Sequence, residues 1–312
     1  MGVNINSQNG DEFGSRYIKS TTRAFQILFE RTMKVWLVND NIFRLSSLYK
    51  DFKQCIDTFH QLTDKIIHEK QDNVDESTSQ QNKTFVNELF HQASKDNSEW
   101  TDKEVRDEIN SMIAAGADTT SHSLGFTILL LAMFPEVQEK VYNEIESVDS
   151  MRDFESDMTI ETANKLKYMG QVINESLRLF SSSTIIGRYT TGDVQLKTRN
   201  IVIPKDVFVV MGISMLHRDP NIWGPDADKF NPDNFLPKNL ENRHPFCFAA
   251  FSGGPKNCVG LKFADLSMKM IIYKLLKAYR IETDEKFEDI RCEFHLLMKK
   301  VGGWNVKLHP RH

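Results

Sequence analysis

The residues best suited to chemistry stand in one short string, Phe251-Ser-Gly-Gly-Pro-Lys-Asn-Cys258-Val-Gly260. Its cysteine lies in a glycine-rich loop directly before a predicted helix, where backbone N–H groups can donate to a sulfur anion. Phe251 offers an aromatic wall and Lys256 a cation for a carboxylate. Gly253, Gly254 and Gly260 let the backbone pass close to a large flat group. The string predicts a thiolate ligand. The competing interpretation, which holds for most lone cysteines, is a buried structural thiol.

A second set of polar residues stands inside a predicted long helix, at Ala115-Gly-Ala-Asp-Thr-Thr120. A threonine hydroxyl in a helix usually bonds back to its own helix, but it can also donate to a bound group. A neighbouring carboxylate can pass protons inward, as a positioned acid does. Taken alone, an Asp-Thr-Thr string is more often an exposed polar patch.

A third set is the pair Glu175 and Arg178, which are three residues apart in a predicted helix. At this spacing the two side chains can meet as a charge-assisted pair. On an exposed helix such a pair contributes only a few tenths of a kcal/mol. The pair is informative only if it is buried.

All three strings resemble motifs of the cytochrome P450 family. The cysteine string matches the family's haem-binding signature, F-x-x-G-x-[R/K]-x-C-x-G, at every fixed position, which implies that Cys258 binds the haem iron. Residues 115–120 resemble the oxygen-activation motif. That resemblance implies that Gly116 leaves room for dioxygen, that Thr119 donates its hydroxyl to it, and that Asp118 relays protons.

The resemblance also assigns roles outside these strings. Glu175-Ser-Leu-Arg178 is similar to the family's E-x-x-R, which implies a buried pair that braces the segment leading to the cysteine loop. The usual third member is an arginine, and Asn234 stands in its place, so the brace is made by an amide hydrogen bond or is weaker. Arg188 stands where the family often supplies a cation to a haem propionate, with a surface arginine as the alternative. His217 is expected to fix a loop rather than to bind iron.

The resemblance covers nearly the whole chain. The strings FNPDNFLP, HRDPNIWG and KLKYMGQVINESLRL look most like the insect branch of the family-four cytochromes. It implies a single domain over residues 1–312, mainly α with a small β portion, that lacks the N-terminal third of the family fold. Ala115 stands where that branch often has a glutamate esterified to haem, so the haem is expected to be non-covalent. Ser181-Ser-Ser183 replaces the usual proline-containing stretch.

The implied reaction inserts one oxygen atom from O2 into a hydrophobic substrate, such as a fatty acid, a hormone or a xenobiotic. The electrons would come from NADPH through cytochrome P450 reductase, with Lys256 and Lys262 as docking charges. The implied location is the cytoplasmic face of the endoplasmic reticulum membrane, although the anchor is absent from this chain. Two alternatives stay open: a non-catalytic truncated remnant that binds little or no haem, and a haem-thiolate isomerase, which the intact Asp118-Thr119 pair disfavours.

The elements that must position these residues follow from periodicity. Apolar residues at spacings of three and four predict a first group of helices over Arg23–Leu37, Tyr49–Lys70 and Thr101–Phe134, the last opening on a capping box made by Thr101 and Glu104. A polar loop is predicted over Gln71–Asn82.

The later part of the chain is predicted to mix helices with short strands. Helices are expected over Val137–Val148, over Ile160–Phe180 and from Gly260 to Arg280. Strands are expected over Tyr189–Thr191, Ile201–Ile203 and Val207–Val210, with a closing hairpin around Gly302-Gly303. Residues 217–257 hold most of the prolines and predict a loop-rich segment, in which Cys247 is expected to lie in the core.

Composition sets the outer limits. The 312 residues are 40% hydrophobic and 26% charged, values typical of a globular protein. The net charge of -4 does not indicate a nucleic-acid partner. Four cysteines without metal-ligand spacing argue against a disulfide framework. The longest apolar stretch, residues 124–134, is shorter than the roughly 18 residues that a membrane span needs.

Overall fold

The structure is a computed structural model that describes residues 12–72, 84–95, 100–149 and 158–311. The chain divides into two compact units, residues 1–118 and 119–312. The helices that begin in the first unit are α1 Glu12–Met33, α2 Asp40–Leu45, α3 Ser47–Asp72, α4 Phe85–Ala93 and α5 Asp102–Met133. A 3-10 helix, Val35–Val38, follows α1.

Amphipathic helices build the first unit. The buried positions of α1 recur every three or four residues, as one helix face requires, at Tyr17, Thr21, Ala24 and Ile27. The main core of the unit comprises Tyr17, Leu62, Ile66, Val86, Leu89, Val105 and Ile109. Arg23 of α1 donates to Asp51 of α3 at 2.9 Å.

The prediction for α1 was wrong at both ends, whereas the one for α3 was nearly right. The helix begins at Glu12 because Tyr17 and Thr21 extend its buried face through a segment that is polar in composition. It ends at Met33, and a 3-10 turn replaces its predicted last residues. The loop predicted over Gln71–Asn82 lies outside the described residues, except for its first two positions, which end α3.

Helix α5 begins as predicted. The Thr101 hydroxyl accepts from the N–H of Glu104 at 3.3 Å, and the Glu104 carboxylate accepts from the N–H of Thr101 at 2.8 Å. This reciprocal pair is a capping box. The hydrogen bonds that the Thr101 N–H and the Thr101 hydroxyl donate to the Glu104 carboxylate lower the pKa of Glu104. The helix has 32 residues, about 48 Å at 1.5 Å per residue, and ends just before Pro135, which confirms the predicted long helix.

The second unit holds the end of α5 and a set of further helices. They are α6 Pro135–Asp149, α7 Ile160–Lys165, α8 Lys167–Leu179, α9 Ile213–Leu216, α10 Pro220–Trp223, α11 Pro237–Leu240 and α12 Leu261–Ala278. Its core packs Leu130 of α5, Val141 of α6, Met169 of α8 and Ile272 of α12, all fully buried. Nowhere in the described part of the chain is a helix both long and apolar enough to cross a membrane.

The helix predicted over Ile160–Phe180 is broken at Leu166, whose ψ of 75° is not helical. The break is stabilised from outside the segment. The Glu144 carboxylate in α6 accepts from the N–H groups of Tyr168 and Met169 at 2.7 and 2.9 Å. It therefore caps the start of α8, where backbone donors lack helical partners. Periodicity within the segment carries no sign of this distant partner.

The described strands form four antiparallel pairs, β1 with β4, β2 with β3, β5 with β8 and β6 with β7. Their bounds are β1 Ile185–Tyr189, β2 Val194–Leu196, β3 Ile201–Ile203, β4 Phe208–Gly212, β5 Tyr279–Glu282, β6 Cys292–His295, β7 Leu297–Lys300 and β8 Lys307–Pro310. The fold class is thus mainly α with a small β portion, as predicted.

Individual strands also depart from the predictions. β3 has the predicted bounds, whereas β2 was not predicted. β1 begins and ends earlier than predicted because it includes Gly187. A Cβ on Gly187 would lie 2.3 Å from the ring of Phe208 on the paired strand, so glycine admits the aromatic ring.

The closing hairpin was also placed wrongly. β6 and β7 turn at Leu296, which has a φ of 68°, and Gly302-Gly303 instead leads to β8, the partner of β5.

The loop-rich segment is confirmed. Between β4 and α12, short helices alternate with 3-10 turns at Pro232–Phe235 and Pro245–Cys247, and a further turn, Phe287–Asp289, follows β5. Cys247 is buried, as predicted.

Candidate functional site

The predicted ligand lies in a tight loop that leads directly into α12. The N–H of Cys258 donates to the carbonyl of Phe251 at 2.9 Å, which closes the loop. Ser252 and Gly254 have φ values of 63° and 77° and reverse the backbone. The N–H of Ala264 donates to the Gly260 carbonyl at 2.8 Å, so the first helical bond of α12 follows at once. The cysteine therefore precedes a helix start, as predicted.

The thiol is exposed and is followed by exposed apolar side chains. Cys258 is a free, exposed cysteine. Val259 is 83% exposed and Phe263 is 74% exposed. A Cβ on Gly260 would lie 3.7 Å from the Cys258 sulfur. The alternative of a buried structural thiol is excluded for this residue, because a structural cysteine would be packed in the core.

The structure explains why two positions of the loop are glycine, which the sequence alone did not reveal. A Cβ on Gly253 would lie 2.8 Å from the ring of Phe246, so this ring occupies the space that a side chain would need. Gly254 has a positive φ, which side chains rarely adopt. Both glycines are needed for the loop itself, whatever the loop binds.

Arg188 is brought to the cysteine loop by strand β1. Its guanidinium donates to the Ser252 hydroxyl at 2.9 Å and to the Lys256 carbonyl at 3.1 Å. Residues far apart in the sequence thus place a cation on the cysteine loop. The Lys256 side chain is exposed. Binding of a propionate by Arg188 stays a prediction.

Glu175 and Arg178 form the predicted buried pair, and neither side chain has any exposed surface. The pair is bidentate, with Nε to Oε2 at 2.7 Å and Nη2 to Oε1 at 2.8 Å. The remaining guanidinium hydrogens go to backbone carbonyls, which are those of His217 at 2.6 Å, Ala227 at 2.5 Å and Lys229 at 3.1 Å. All five N–H donors of the arginine are therefore used.

Asn234 completes this brace through its amide, as expected from its place in the sequence. Its Nδ2 donates to Glu175 Oε1 at 3.1 Å, and the backbone N–H of Asn231 donates to the same oxygen at 2.9 Å. Arg243 was not predicted. It donates to the Asn234 carbonyl at 2.8 Å, and its guanidinium lies 4.5 Å from the ring centre of Trp223. Its contact depends on loop folding, for which the sequence has no periodic signal.

His217 fixes a loop, as predicted, and thereby links the brace to the segment before the cysteine. Its Nε2 accepts from the N–H of Ala249 at 2.9 Å, so the ring is neutral with its hydrogen on Nδ1. Its carbonyl accepts from Arg178. Burial lowers the pKa of His217 to about 4. The buried pair is thus connected to the chain that leads to the cysteine loop.

The helical motif lies in α5, with Gly116 and Asp118 in the first unit and Thr119 in the second. Within the second unit, the Thr119 carbonyl accepts from the Ser123 hydroxyl at 2.9 Å and from the Ser182 hydroxyl at 3.1 Å. The second contact comes from outside the helix. The roles of Gly116, Asp118 and Thr119 with oxygen stay predictions.

Comparison with known proteins agrees with these motifs. The family model described as Cytochrome P450 matches residues 1–304. Similar proteins include Cytochrome P450 4c3 of Drosophila melanogaster, 32% identical, Cytochrome P450 4c21 of Blattella germanica, 31% identical, and Cytochrome P450 4V2 of Pongo abelii, 30% identical. Each similarity covers 100% of this chain and 60% to 63% of the relative. The chain therefore spans about 60% of the length of these relatives.

Proposed function

The chain belongs to the cytochrome P450 family, and we propose that it acts as a haem-dependent monooxygenase with Cys258 as the iron ligand. The observation that carries this proposal is the exposed thiol in a tight loop at the start of α12. The family match and the cysteine signature support the same assignment.

The residues around the thiol fit a haem. A thiolate is a ligand of haem iron, and a large apolar ring would cover exposed side chains such as Val259 and Phe263. Arg188, which is already tied to the loop at Ser252, would pair with a propionate. Residue 115 is an alanine, which cannot form an ester, so the haem would be held non-covalently.

When bound, haem with a thiolate ligand supplies the activation of dioxygen. The protein's own task is to deliver protons and to keep substrate in place. We assign the donation of a proton to the Thr119 hydroxyl. The Asp118 carboxylate would then replace that proton from solvent. Gly116 would leave space for dioxygen. The neutral His217 and the Glu175–Arg178 pair hold the backbone that leads to the cysteine loop.

The partners follow from the same proposal. The electrons would come from NADPH through cytochrome P450 reductase, and Lys256 and Lys262 beside the cysteine would pair with acidic groups on that partner. The substrate would be hydrophobic, of the fatty-acid, hormone or xenobiotic class. The site of action would be the cytoplasmic face of the endoplasmic reticulum membrane.

A labelling experiment tests the reaction. The haem-loaded chain is incubated with reductase, NADPH, a medium-chain fatty acid and heavy-isotope dioxygen, and the products are examined by mass spectrometry. One heavy oxygen atom per product molecule is expected, and Asp118→Ala should slow its formation while haem stays bound. A panel of fatty acids, steroids and aromatic compounds that yields no labelled product would contradict the proposal.

A further inference from the structure

Two buried serine hydroxyls meet at one backbone carbonyl in the second unit. Ser123 Oγ and Ser182 Oγ lie 2.8 Å apart, and each also lies within hydrogen-bond distance of the Thr119 carbonyl, at 2.9 and 3.1 Å. The exposed fractions of the two serines are 5% and 8%. This serine triangle is one of the contacts between α5 and the segment that follows α8, beside the stacked rings of Phe126 and Phe180.

The two serines do different things, although their hydroxyls are alike. Ser123 bonds within its own helix, to the carbonyl four residues earlier, which is an ordinary contact for a helical serine. Ser182 is not part of α5, and its bond to Thr119 joins two separate segments. Each hydroxyl has a hydrogen that it can donate to the Thr119 carbonyl. Either serine can therefore still make this hydrogen bond when the other is removed. Only loss of Ser182 removes the hydrogen bond between the segments.

Ser182 is held from the other side as well. Its carbonyl accepts from the N–H of Met298 in β7 at 2.9 Å. The residue therefore stands between the Thr119 turn of α5 and the β6–β7 hairpin. That hairpin turns at Leu296, whose φ of 68° lies in the left-handed region. Ser182 thus contacts the helix through its hydroxyl and the hairpin through its backbone carbonyl, so it can transmit the position of one element to the other.

We propose that Ser182 is a positioning residue that holds the turn of α5 carrying Thr119, and with it the direction of the Thr119 hydroxyl. The assignment of a proton donor to Thr119 rests on the proposed function, whereas the link itself does not. Ser182 touches the Thr119 backbone and Ser123, so its effect on chemistry would be exerted through Thr119.

Hydrogen exchange of the whole chain tests the link without any cofactor. In Ser182→Ala, backbone amides in residues 119–127 should exchange about fivefold faster, the factor expected when one buried hydrogen bond is lost. Ser123→Ala is the matched control, since it removes an equally buried hydroxyl but leaves the Ser182 bond to Thr119. Equal protection in wild type and Ser182→Ala, or equal loosening in both variants, would overturn the proposal.

The carbon–oxygen stretching band of the reduced, carbon-monoxide-bound haem protein tests the effect on the Thr119 hydroxyl. Ser182→Ala should shift or broaden this band in the same direction as Thr119→Ala, Ser123→Ala should leave it unchanged, and Ser182→Thr should restore it. A shift in Thr119→Ala without one in Ser182→Ala would overturn the positioning role. A wild-type chain that gives no haem spectrum would contradict the proposed function, and the exchange result would still decide the link.

Discussion

At the scale of single residues, two ion pairs with the same spacing show how burial changes their value. Glu175 and Arg178 are three residues apart and have no exposed surface, whereas Asp226 and Lys229, also three apart, are 67% and 75% exposed. The exposed pair competes with water and salt and contributes little. In the buried pair, each charge depends on the other for its solvation, so loss of either partner leaves an uncompensated charge.

Glu175→Gln should therefore lower the free energy of unfolding by about 3–5 kcal/mol, because the Arg178 guanidinium stays buried without its counter-charge. Asp226→Asn is the control, and we expect a change of at most about 0.5 kcal/mol. Urea unfolding followed by circular dichroism measures both. Equal effects in the two variants would mean that the Glu175–Arg178 pair is no brace.

The buried imidazole of His217 makes stability depend on pH. Its pKa is lowered by burial to about 4, whereas an unfolded histidine titrates near about 6.5. Between these values the unfolded state binds the additional proton, so stability is lost as the pH falls through this window. Between pH 7 and pH 5 this contribution amounts to about 2 kcal/mol.

His217→Gln keeps an acceptor for the Ala249 N–H and removes the titration. The fall in unfolding free energy from pH 7 to pH 5 should be smaller in the variant than in wild type by about 2 kcal/mol. Urea unfolding at the two pH values gives the difference. Parallel pH profiles would show that the folded histidine titrates normally.

Residues in fixed local patterns could be predicted, and residues whose partners are distant could not. The cysteine loop, the Glu175–Arg178 pair and the Asn234 amide all follow from short strings. The contact of Arg188 with Ser252 and the position of Arg243 over Trp223 depend on how loops fold back, and no spacing in the sequence encodes that.

At the scale of elements, two of the errors share one cause, which is a partner far along the chain. The break at Leu166 is stabilised by Glu144 in α6, and the last strand pairs with β5 rather than with its neighbour in sequence. By contrast, the long α5 was predicted because its capping box and its stop at Pro135 are both local.

Glu144→Ala tests the cap of α8. Loss of the two hydrogen bonds to the Tyr168 and Met169 amides should lower the free energy of unfolding by about 1–2 kcal/mol. Glu146→Ala is the control, since that side chain lies on the exposed face of the same helix. The comparison again uses urea unfolding, and indistinguishable variants would show that α8 begins without this cap.

At the scale of the whole molecule, the mainly α class and the family were both predictable, because three separate motifs agreed. The bounds of the two units could not be predicted, because they depend on contacts between residues distant in sequence. The substrate could not be predicted either, because it depends on the shape of a pocket. The proposed function of the chain depends on one property, the binding of haem iron by the Cys258 thiolate.

The reduced carbon-monoxide difference spectrum of the chain, prepared with haem supplied, tests this property most directly. The wild type and Cys292→Ala, which removes another exposed cysteine, should both show the Soret band of thiolate-ligated haem, and Cys258→Ala should not. A thiolate band that survives in Cys258→Ala, or its absence from a folded wild-type chain, would contradict the account.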